Sequence, residues 1–487
     1  MNSFGKSFNT NGTKKAGASS TLFGRALPAQ GSGSIFGGAA WPPPSNEGHS
    51  PESAETAETT DGSAESSRDA SSDDIPTELL NVPPATVNDL TDYVNLVFKY
   101  LAFRDWTATV LAAPLLSLDN EHARCSFLQV ENPTIAAGPD ASAEDALLYE
   151  LIGGHISVIH YASVQDWVSA FAMQSAIVTV YRQEIVAKEK NSNWFIPLAY
   201  VICDDLWKLA KKIQATHNQL DEEDSGHEYL DKVVTHTMGL YQTCTRDSRI
   251  ELDQSKKVGI FQLTVLLLQI YFETNKMALL KPLLRAVHIL PFVFRERLST
   301  SDLVLYSFYL GKKNMFDSDL QMSDKALEYA FKYCPERYFD NKRRILIYWI
   351  PVKMFLGEIP LDNLLDDYGL SEFKMIANGV REGNIRQLRE GIVRNRQFLM
   401  QSGVYLMVEK LAQLTYFALF KRLVGILGTH KIKLEAFQCL LTFLGEDIRH
   451  IDEVVCIISN LIAKKKIRGY ISKMHNVVVL SKENPFD

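Results

Sequence analysis

The sequence predicts a mostly α-helical protein, in which a right-handed solenoid of helix pairs is capped by a C-terminal winged helix and preceded by a disordered N-terminal tail. Three observations predict this class. Apolar residues recur every three or four positions from residue 87 onward, strand patterns are scarce before residue 467, and small or polar residues dominate the first 82 positions. Helices that follow one another without a sheet bury their apolar faces against each other, as in a solenoid.

The tail, residues 1–82, is predicted to be disordered because its aliphatic side chains are too sparse to offset the entropy lost on folding. Residues 1–46 hold four basic residues and no acid, whereas residues 47–78 hold ten acids and one arginine. The acidic half is interpreted as a solubilising spacer, with the alternative that it screens a basic surface elsewhere in the protein. The tail also contains three Phe-Gly pairs: Phe4-Gly5, Phe23-Gly24 and Phe36-Gly37.

Long amphipathic helices form the next two predicted domains, helical repeats over residues 83–257 and a further helical part over residues 258–400. The first helix places four apolar residues on one face: Leu90, Val94, Val97 and Leu101. The same periodicity continues in WFIPLAYVICDDLWKLAKKI and in VGIFQLTVLLLQIYFETNKMALLKPLLRAV. Short turns join these helices, which favours stacked helix pairs.

The last predicted domain, residues 401–487, has the pattern of a winged helix. Three helices are predicted in MVEKLAQLTYFALFKRLVGIL, KLEAFQCLLTFLG and HIDEVVCIISNLIAKKK. Two β-rich segments, Ile467–Ser472 and Val477–Ser481, then flank a short polar turn. Three helices followed by a two-stranded hairpin are typical of this helix-turn-helix variant.

A helical solenoid that ends in a winged helix resembles the PCI domain, which is shared by subunits of the proteasome lid, the COP9 signalosome and translation-initiation factors. Longer blocks are similar to one branch, the PCI-domain subunit of the nuclear mRNA-export assembly called transcription-and-export complex 2. The blocks include NKRRILIYWIPVKMFLGEIP, LLDDYGL, VREGNIRQLRE and SNLIAKKKIRGYIS. The similarity is dense from residue 258 to residue 486, weaker from 87 to 253, and does not reach the tail.

This resemblance implies a non-enzymatic scaffold in the nucleus, at the nuclear pore, that couples transcription to mRNA export. It implies pairing, PCI domain to PCI domain, with a large export scaffold of the germinal-centre-associated nuclear protein type. A small acidic polypeptide, also found in the proteasome lid, is expected to clamp the helical part, and paired winged helices are expected to present a basic platform to RNA or DNA. The alternative is a PCI subunit of a proteasome-lid or signalosome-like assembly that acts in protein turnover.

The charge of the winged helix agrees with nucleic-acid binding. Residues 401–487 carry twelve basic and eight acidic residues, a net charge of +4 within a chain of net charge −7. Clustered Lys and Arg bind phosphates without sequence specificity. The predicted nucleic-acid-binding residues are Lys464, Lys465, Lys466, Arg468, Lys473 and Lys482. The alternative is a solvated charge run at a helix C-terminus, where the helix dipole favours lysine.

A second basic cluster, Lys342, Arg343 and Arg344, opens the predicted helix NKRRILIYWIP, in which Pro351 tightens or kinks the chain. Basic residues at a helix start oppose the helix dipole, so an acidic partner or nucleic acid is expected there. The acidic candidates are the tail of this chain and the small acidic subunit. A structural ion-pair cluster between helix layers is the alternative that stays open.

The wing hairpin is a candidate protein interface. An exposed strand such as VVVLS can pair with the edge of another sheet, and the resemblance implies that PCI subunits join through this region. Tyr470, Val477 and Val479 are therefore predicted to lie at a partner interface, as is the cluster Lys342–Arg344. The alternative is that the apolar side chains only cover the third helix, which strand periodicity requires of alternate residues.

Several classes of function are disfavoured. The sequence contains no GxxxxGK[ST] phosphate loop, GxSxG elbow, HExxH motif or kinase motif set, so an enzyme is not predicted. His155 and His160 are spaced poorly for ligation from one helix face, and no metal or cofactor is predicted. No apolar run reaches the about 18 residues of a membrane span. Asp452 and Glu453 open the third helix of the winged helix and would repel phosphate, which argues against a sequence-specific transcription factor.

In this context we hypothesise a minor binding role for the Phe-Gly pairs of the tail. A subunit tethered at the nuclear pore could use them as a weak auxiliary contact with transport receptors or nuclear-pore proteins. The alternative is chance, because glycine-rich leaders often place Phe beside Gly.

Overall fold

The computed structural model describes most of the chain after the tail. The residues that it describes are 23–25, 89–131, 133, 135, 142–190, 192–219, 225–295 and 297–486. They belong to two compact units: residues 89–302 fall in one, and residues 303–486 fall in the other together with 23–25. The disorder predicted for residues 1–82 therefore concerns positions outside the described residues, apart from Phe23–Arg25.

The first unit consists of consecutive helices, most of which pack against the next helix in the chain. Its helices are α1 (Leu90–Ala102), α2 (Trp106–Ala112), α3 (Ala143–Ser163), α4 (Trp167–Val180), α5 (Ile196–Gln219), α6 (Ser225–Thr245), α7 (Gly259–Glu273) and α8 (Leu280–Ile289). A π-helical segment, Tyr181–Val186, continues α4. Single 3-10 turns lie at Ala113–Leu116, Glu121–Arg124, Ser126–Leu128, Lys256–Val258, Met277–Leu279 and Phe292–Arg295. The predicted succession of helices is confirmed.

Local sequence signals set the start of these helices. The Asp89 carboxylate accepts a hydrogen bond from the Asp92 amide at 2.7 Å and caps α1. Ser142 and Asp145 form a reciprocal capping box at the start of α3. Of the apolar stripe predicted for α1, Val94, Val97 and Leu101 are buried and Leu90 is half-buried, so the periodicity in the sequence identifies the face that packs into the core.

One histidine and two cysteines of this unit are buried in their neutral forms. Burial lowers the pKa of His155 to about 4 and raises the pKa of the Cys203 and Cys244 thiols to about 12. All six cysteines of the chain are free thiols. Among the described residues, no group of three or more His, Cys, Asp or Glu side chains is arranged to hold a metal ion.

The second unit begins with helices and ends with the winged helix. Its helical part contains α9 (Thr300–Phe316, which begins just before the unit boundary), α10 (Leu320–Tyr333), α11 (Phe339–Phe355), α12 (Asp362–Asp367), α13 (Lys374–Glu382), α14 (Ile385–Arg394), α15 (Arg396–Gln401) and α16 (Tyr405–Glu409). A 3-10 turn lies at Ser371–Phe373. Strand β1 (Phe23–Arg25) pairs with β2 (Glu358–Pro360), which follows α11. Helix α11 is central to this core, where Leu346 and Ile350 are fully buried, and Pro351 lies within the helix.

The winged helix is formed by α17 (Ala412–Leu427), β3 (Lys431–Lys433), α18 (Leu434–Phe443), α19 (Ile451–Ala463), β4 (Gly469–Ser472) and β5 (Val477–Leu480). Its core contains the Phe420 and Phe437 rings, whose centroids lie 5.4 Å apart. The chain end folds back onto this core, where the Phe486 ring packs edge-on against Phe417. The predicted winged helix is therefore confirmed.

One feature of the predicted wing is wrong. The sheet has three antiparallel strands in the order β3-β5-β4, so it is more than a two-stranded hairpin. Strand β3 was not predicted from the sequence because it is three residues long and contains a single apolar residue, Ile432. As a result β5 is the central strand, and the expectation that VVVLS offers an exposed edge is incorrect.

In the part of the chain that the structure describes, no helix has both the length and the apolar character needed to cross a membrane.

Candidate nucleic-acid interface

The end of α19 exposes the densest run of lysines. Helix α19 ends at Ala463, and the next three residues, Lys464–Lys466, close it in a Schellman motif. The Lys465 amide donates to the Ile462 carbonyl at 2.9 Å, and the Lys466 amide donates to the Leu461 carbonyl at 3.0 Å. Lys465 occupies the left-handed position of this motif, with φ at 59°. Glycine is the usual residue there, so a lysine is held in a backbone conformation that its Cβ disfavours.

Neighbouring contacts fix this corner of the domain. The Lys464 ammonium donates to the side-chain oxygen of Gln413, while the Lys465 side chain is exposed. The Arg468 amide donates to the Pro485 carbonyl at 2.9 Å, and its carbonyl accepts from the Ser481 amide at 2.9 Å. This second contact brings the segment after β5, which carries Lys482, beside Arg468.

We define the basic cluster as the five bases that meet at this corner. Its members are Lys464, Lys465, Lys466, Arg468 and Lys482. All of them are exposed except Lys466, which is half-buried. Because their backbones are held by α19, β4 and the folded-back chain end, the positive charges are presented by a rigid frame, which limits the entropy lost on binding.

Lys473 is separate from the basic cluster. It lies in the turn after β4, and its ammonium is 3.3 Å from an Asp452 carboxylate oxygen in the first turn of α19. Helix α19 has 13 residues, and a helix of that length spans about 20 Å, so Lys473 and the basic cluster lie at opposite ends of it. Both partners of this ion pair are 73% exposed, and such pairs contribute little to stability. The predicted site is thus divided into two patches.

The start of α19 is unsuited to phosphate. The Glu453 carboxylate accepts from the Arg449 and His450 amides, at 3.1 Å each, and caps the helix. Asp452 adds a second negative charge in the same turn. A helix whose first turn is acidic repels the phosphate backbone, so base reading by the N-terminus of α19 is disfavoured.

The outer face of the wing sheet adds residues that the sequence reading missed. The register aligns Lys431 of β3 with Val479 of β5 and Tyr470 of β4. Lys433 is aligned in the same way with Val477. Residues opposite one another in a sheet share a face. We define the wing face as these outward positions. Its members are Lys431, Lys433, Tyr470, Ser472, Val477 and Val479.

The wing face combines charge with apolar surface. Lys431 and Lys433 are exposed on the β3 edge, Val477 and Val479 are half-buried in the centre, and Tyr470 is 63% exposed on the β4 edge. The alternation Lys-Ile-Lys is the signal that could have revealed β3, because it has the period of two that a strand requires. This face can contact phosphates along one edge and another protein over its centre.

The three bases of the second predicted cluster, Lys342–Arg344, do not form one exposed patch. Lys342 is buried, and its ammonium lies 4.9 Å from the centroid of the Phe331 ring. Arg343 donates to the Gly369 carbonyl at 3.3 Å. Only Arg344 is exposed. Two of the three bases therefore stabilise contacts between structural elements, although the partner of Lys342 is an aromatic ring rather than the acid that an ion-pair cluster requires.

Arg344 also influences a neighbouring base. Burial, and then the positive charge of Arg344, lower the pKa of Lys312 to about 8. The Lys312 ammonium lies 4.8 Å from the centroid of the Tyr348 ring. The positive charge of Arg344 therefore reaches into this part of the helical core.

Comparisons with known proteins agree with this architecture. The family model described as "PCI domain" matches residues 361–482. A Caenorhabditis elegans protein named PCI domain-containing protein 2 homolog is 39% identical over 403 residues, which cover 82% of this chain and 97% of the relative. The Xenopus laevis PCI domain-containing protein 2 is 35% identical over 379 residues, or 77% of this chain and 92% of the relative. A Schizosaccharomyces pombe relative, Protein CSN12 homolog, is 26% identical over 347 residues, or 68% and 81%. The chain therefore belongs to the PCI-domain family of scaffold-type proteins, in the group related to PCI domain-containing protein 2.

Proposed function

We propose that this protein is a non-enzymatic scaffold subunit of a nuclear complex that couples transcription to mRNA export. Its winged helix binds RNA or DNA without sequence specificity, through a surface completed by a partner PCI subunit. The observation that carries this proposal is the basic cluster, in which exposed bases are presented by a rigid helix end. Phosphate contacts from such a cluster supply affinity and carry no sequence information.

The expected partners follow from the surfaces of the second unit. The centre of the wing face, with Val477, Val479 and Tyr470, provides an apolar and aromatic patch for the winged helix of a large export scaffold of the germinal-centre-associated nuclear protein type. Aromatic and apolar side chains are typical of the centre of protein interfaces. The edges of the sheet that remain for pairing with a partner strand belong to β3 and β4.

A small acidic polypeptide of the kind found with the proteasome lid is the third proposed partner. Arg344 is exposed, and its positive charge favours an acidic segment at this part of the helical core. The buried position of Lys342 removes it from this proposed contact. The complex is proposed to reside in the nucleus, at the nuclear pore.

Affinity purification of the tagged full-length chain from nuclei, followed by mass spectrometry, tests this assignment. Recovery of a large PCI-containing export scaffold together with a small acidic polypeptide is expected. Recovery of a set of proteasome-lid or signalosome subunits with a metalloprotease would contradict the export role.

The second candidate function is that of a PCI subunit in a proteasome-lid or signalosome-like assembly that acts in protein turnover. The specific observation that favours it is the similarity to the fission yeast relative named Protein CSN12 homolog. The two candidates differ in the basic cluster, because a role in protein turnover does not require nucleic-acid binding. Purified complexes that fail to retain RNA or DNA would favour the second candidate.

A further inference from the structure

The tail contributes one strand to the folded domain, and this strand contains a Phe-Gly pair. Residues Phe23, Gly24 and Arg25 form β1, which pairs antiparallel with β2, and the register places Gly24 opposite Ile359. We propose that the edge of β2 is a docking site for an extended Phe-Gly segment, and that the segment Phe23–Arg25 of the same chain occupies it. The docked pair is thereby withheld from other proteins that recognise Phe-Gly sequences, until it is displaced.

Strand β2 is held rigidly, as a docking edge requires. The Lys353 ammonium lies 3.2 Å from a carboxylate oxygen of Glu358 and 3.2 Å from one of Asp324, which ties the strand to α10 and α11. The Arg381 guanidinium on α13 donates to the Pro360 carbonyl at 2.8 Å. A pre-organised strand loses little conformational entropy when a further strand is added to it.

The edge is open to an added strand. Among the described residues, β2 has no strand neighbour other than β1, so the two form a sheet by themselves. Pro360 has no backbone N–H to donate, and it is the last residue of β2, a position where proline is tolerated. Without β1, the remaining polar groups of this edge would lack a strand partner, and such edges recruit extended peptides.

The sequence of the docked segment fits this edge. Glycine allows close approach of two backbones, and the register places Gly24 opposite Ile359 in the middle of β2. The register places Arg25 opposite Glu358, and opposite charges at paired positions favour the pairing. The pair Phe36-Gly37 is followed by another glycine and lacks this basic residue. It is therefore the matched segment against which docking can be measured.

Hydrogen exchange of the full-length protein tests the proposal. Deletion of residues 23–25 is compared with deletion of residues 36–38, which removes an equal length of tail. The first deletion is expected to make amide exchange at Glu358 and Ile359 several-fold faster, and the second is expected to leave it unchanged. Equal exchange in both variants would overturn the proposal, and so would faster exchange spread evenly over α11 and α13, which would assign the segment a general stabilising role.

A peptide experiment tests docking separately from folding. A synthetic peptide with the sequence of residues 20–28 is added to the protein that lacks residues 23–25. Restored protection at Glu358 and Ile359, with no effect from a peptide of residues 33–41, is expected. Restoration by both peptides, or by neither, would contradict a site that selects this segment.

Discussion

Replacement of Lys465 by glycine is expected to make the winged helix more stable and, at the same time, a weaker ligand for nucleic acid. Lys465 lies at the left-handed position after α19, with φ at 59°. That conformation costs a residue with a Cβ roughly 1–2 kcal/mol, which glycine does not incur. Lys465→Gly is therefore expected to raise the free energy of unfolding by about 1 kcal/mol, or the melting temperature by about 2–4 °C for a unit of about 200 residues.

The same substitution removes one exposed positive charge from the basic cluster. If Lys465 contacts a phosphate, the slope of log K against log salt concentration is expected to fall by about 0.9 for duplex DNA or about 0.7 for a single strand. Thermal unfolding and fluorescence anisotropy over a salt series measure the two quantities on one preparation. Opposite signs of the two effects distinguish a binding residue from a structural one.

Ser318→Gly is the matched control for this experiment. Ser318 has φ at 66°, so glycine relieves a similar backbone cost there without changing the charge. It is expected to stabilise the protein and to leave nucleic-acid affinity unaltered. A Lys465→Gly protein that binds as tightly as the parent would refute the placement of this residue at the interface, and one that is less stable would refute the conformational argument.

Three further predictions concern the core and the wing. Burial lowers the pKa of His155 to about 4, below the about 6.5 of an unfolded chain. The contribution of neutral His155 to the free energy of unfolding is therefore fully present above pH 6.5. Up to about 3 kcal/mol of that free energy is lost as the pH falls toward 4. A His155→Phe protein is therefore expected to show a smaller drop in urea midpoint over that range, and an equal drop would contradict this. Lys342→Ala, which removes the contact with Phe331, is expected to lower the free energy of thermal unfolding by about 2 kcal/mol, and Lys342→Met is expected to lower it less. Neither variant is expected to change RNA affinity. A loss of affinity would mean that Lys342 does lie at the interface. At Gly469 an added Cβ would clash with the Val479 carbonyl oxygen, so Gly469→Ala is expected to cost about 1–3 kcal/mol and to speed hydrogen exchange in β4. Unchanged exchange would mean that the sheet accommodates the Cβ and would contradict this prediction.

The elements with strong local periodicity were predictable from the sequence. The helices, the three-helix pattern of the winged helix and the strands β4 and β5 follow from apolar spacing and turn residues. The position of Lys464–Lys466 at the end of a helix follows from the same pattern, because the apolar stripe of α19 stops where the lysines begin. Such features depend on neighbours in the chain.

Features that depend on distant contacts were not predictable. Strand β3 is defined by its pairing with β5, which lies more than forty residues later in the chain, so Lys431 and Lys433 were missed. The burial of Lys342 depends on a ring from α10, and the separation of Lys473 from the basic cluster depends on the length of α19. The pairing of β1 with β2 joins two segments that are far apart in the sequence and has no local signal beyond a single Phe-Gly pair.

The most direct test of nucleic-acid binding by the winged helix is a charge reversal of the helix end in the full-length protein. The test variant carries Lys464→Glu, Lys465→Glu, Lys466→Glu and Arg468→Glu. The control variant carries the same charge change at exposed bases elsewhere: Lys281→Glu, Arg285→Glu, Lys325→Glu and Arg394→Glu. RNA and DNA retention by the purified complex is measured at fixed salt, with unfolding curves to confirm that both variants are folded. The test variant is expected to lose more than tenfold in affinity while the control retains it, whereas equal retention by the two would contradict the assignment of the basic cluster as the nucleic-acid interface.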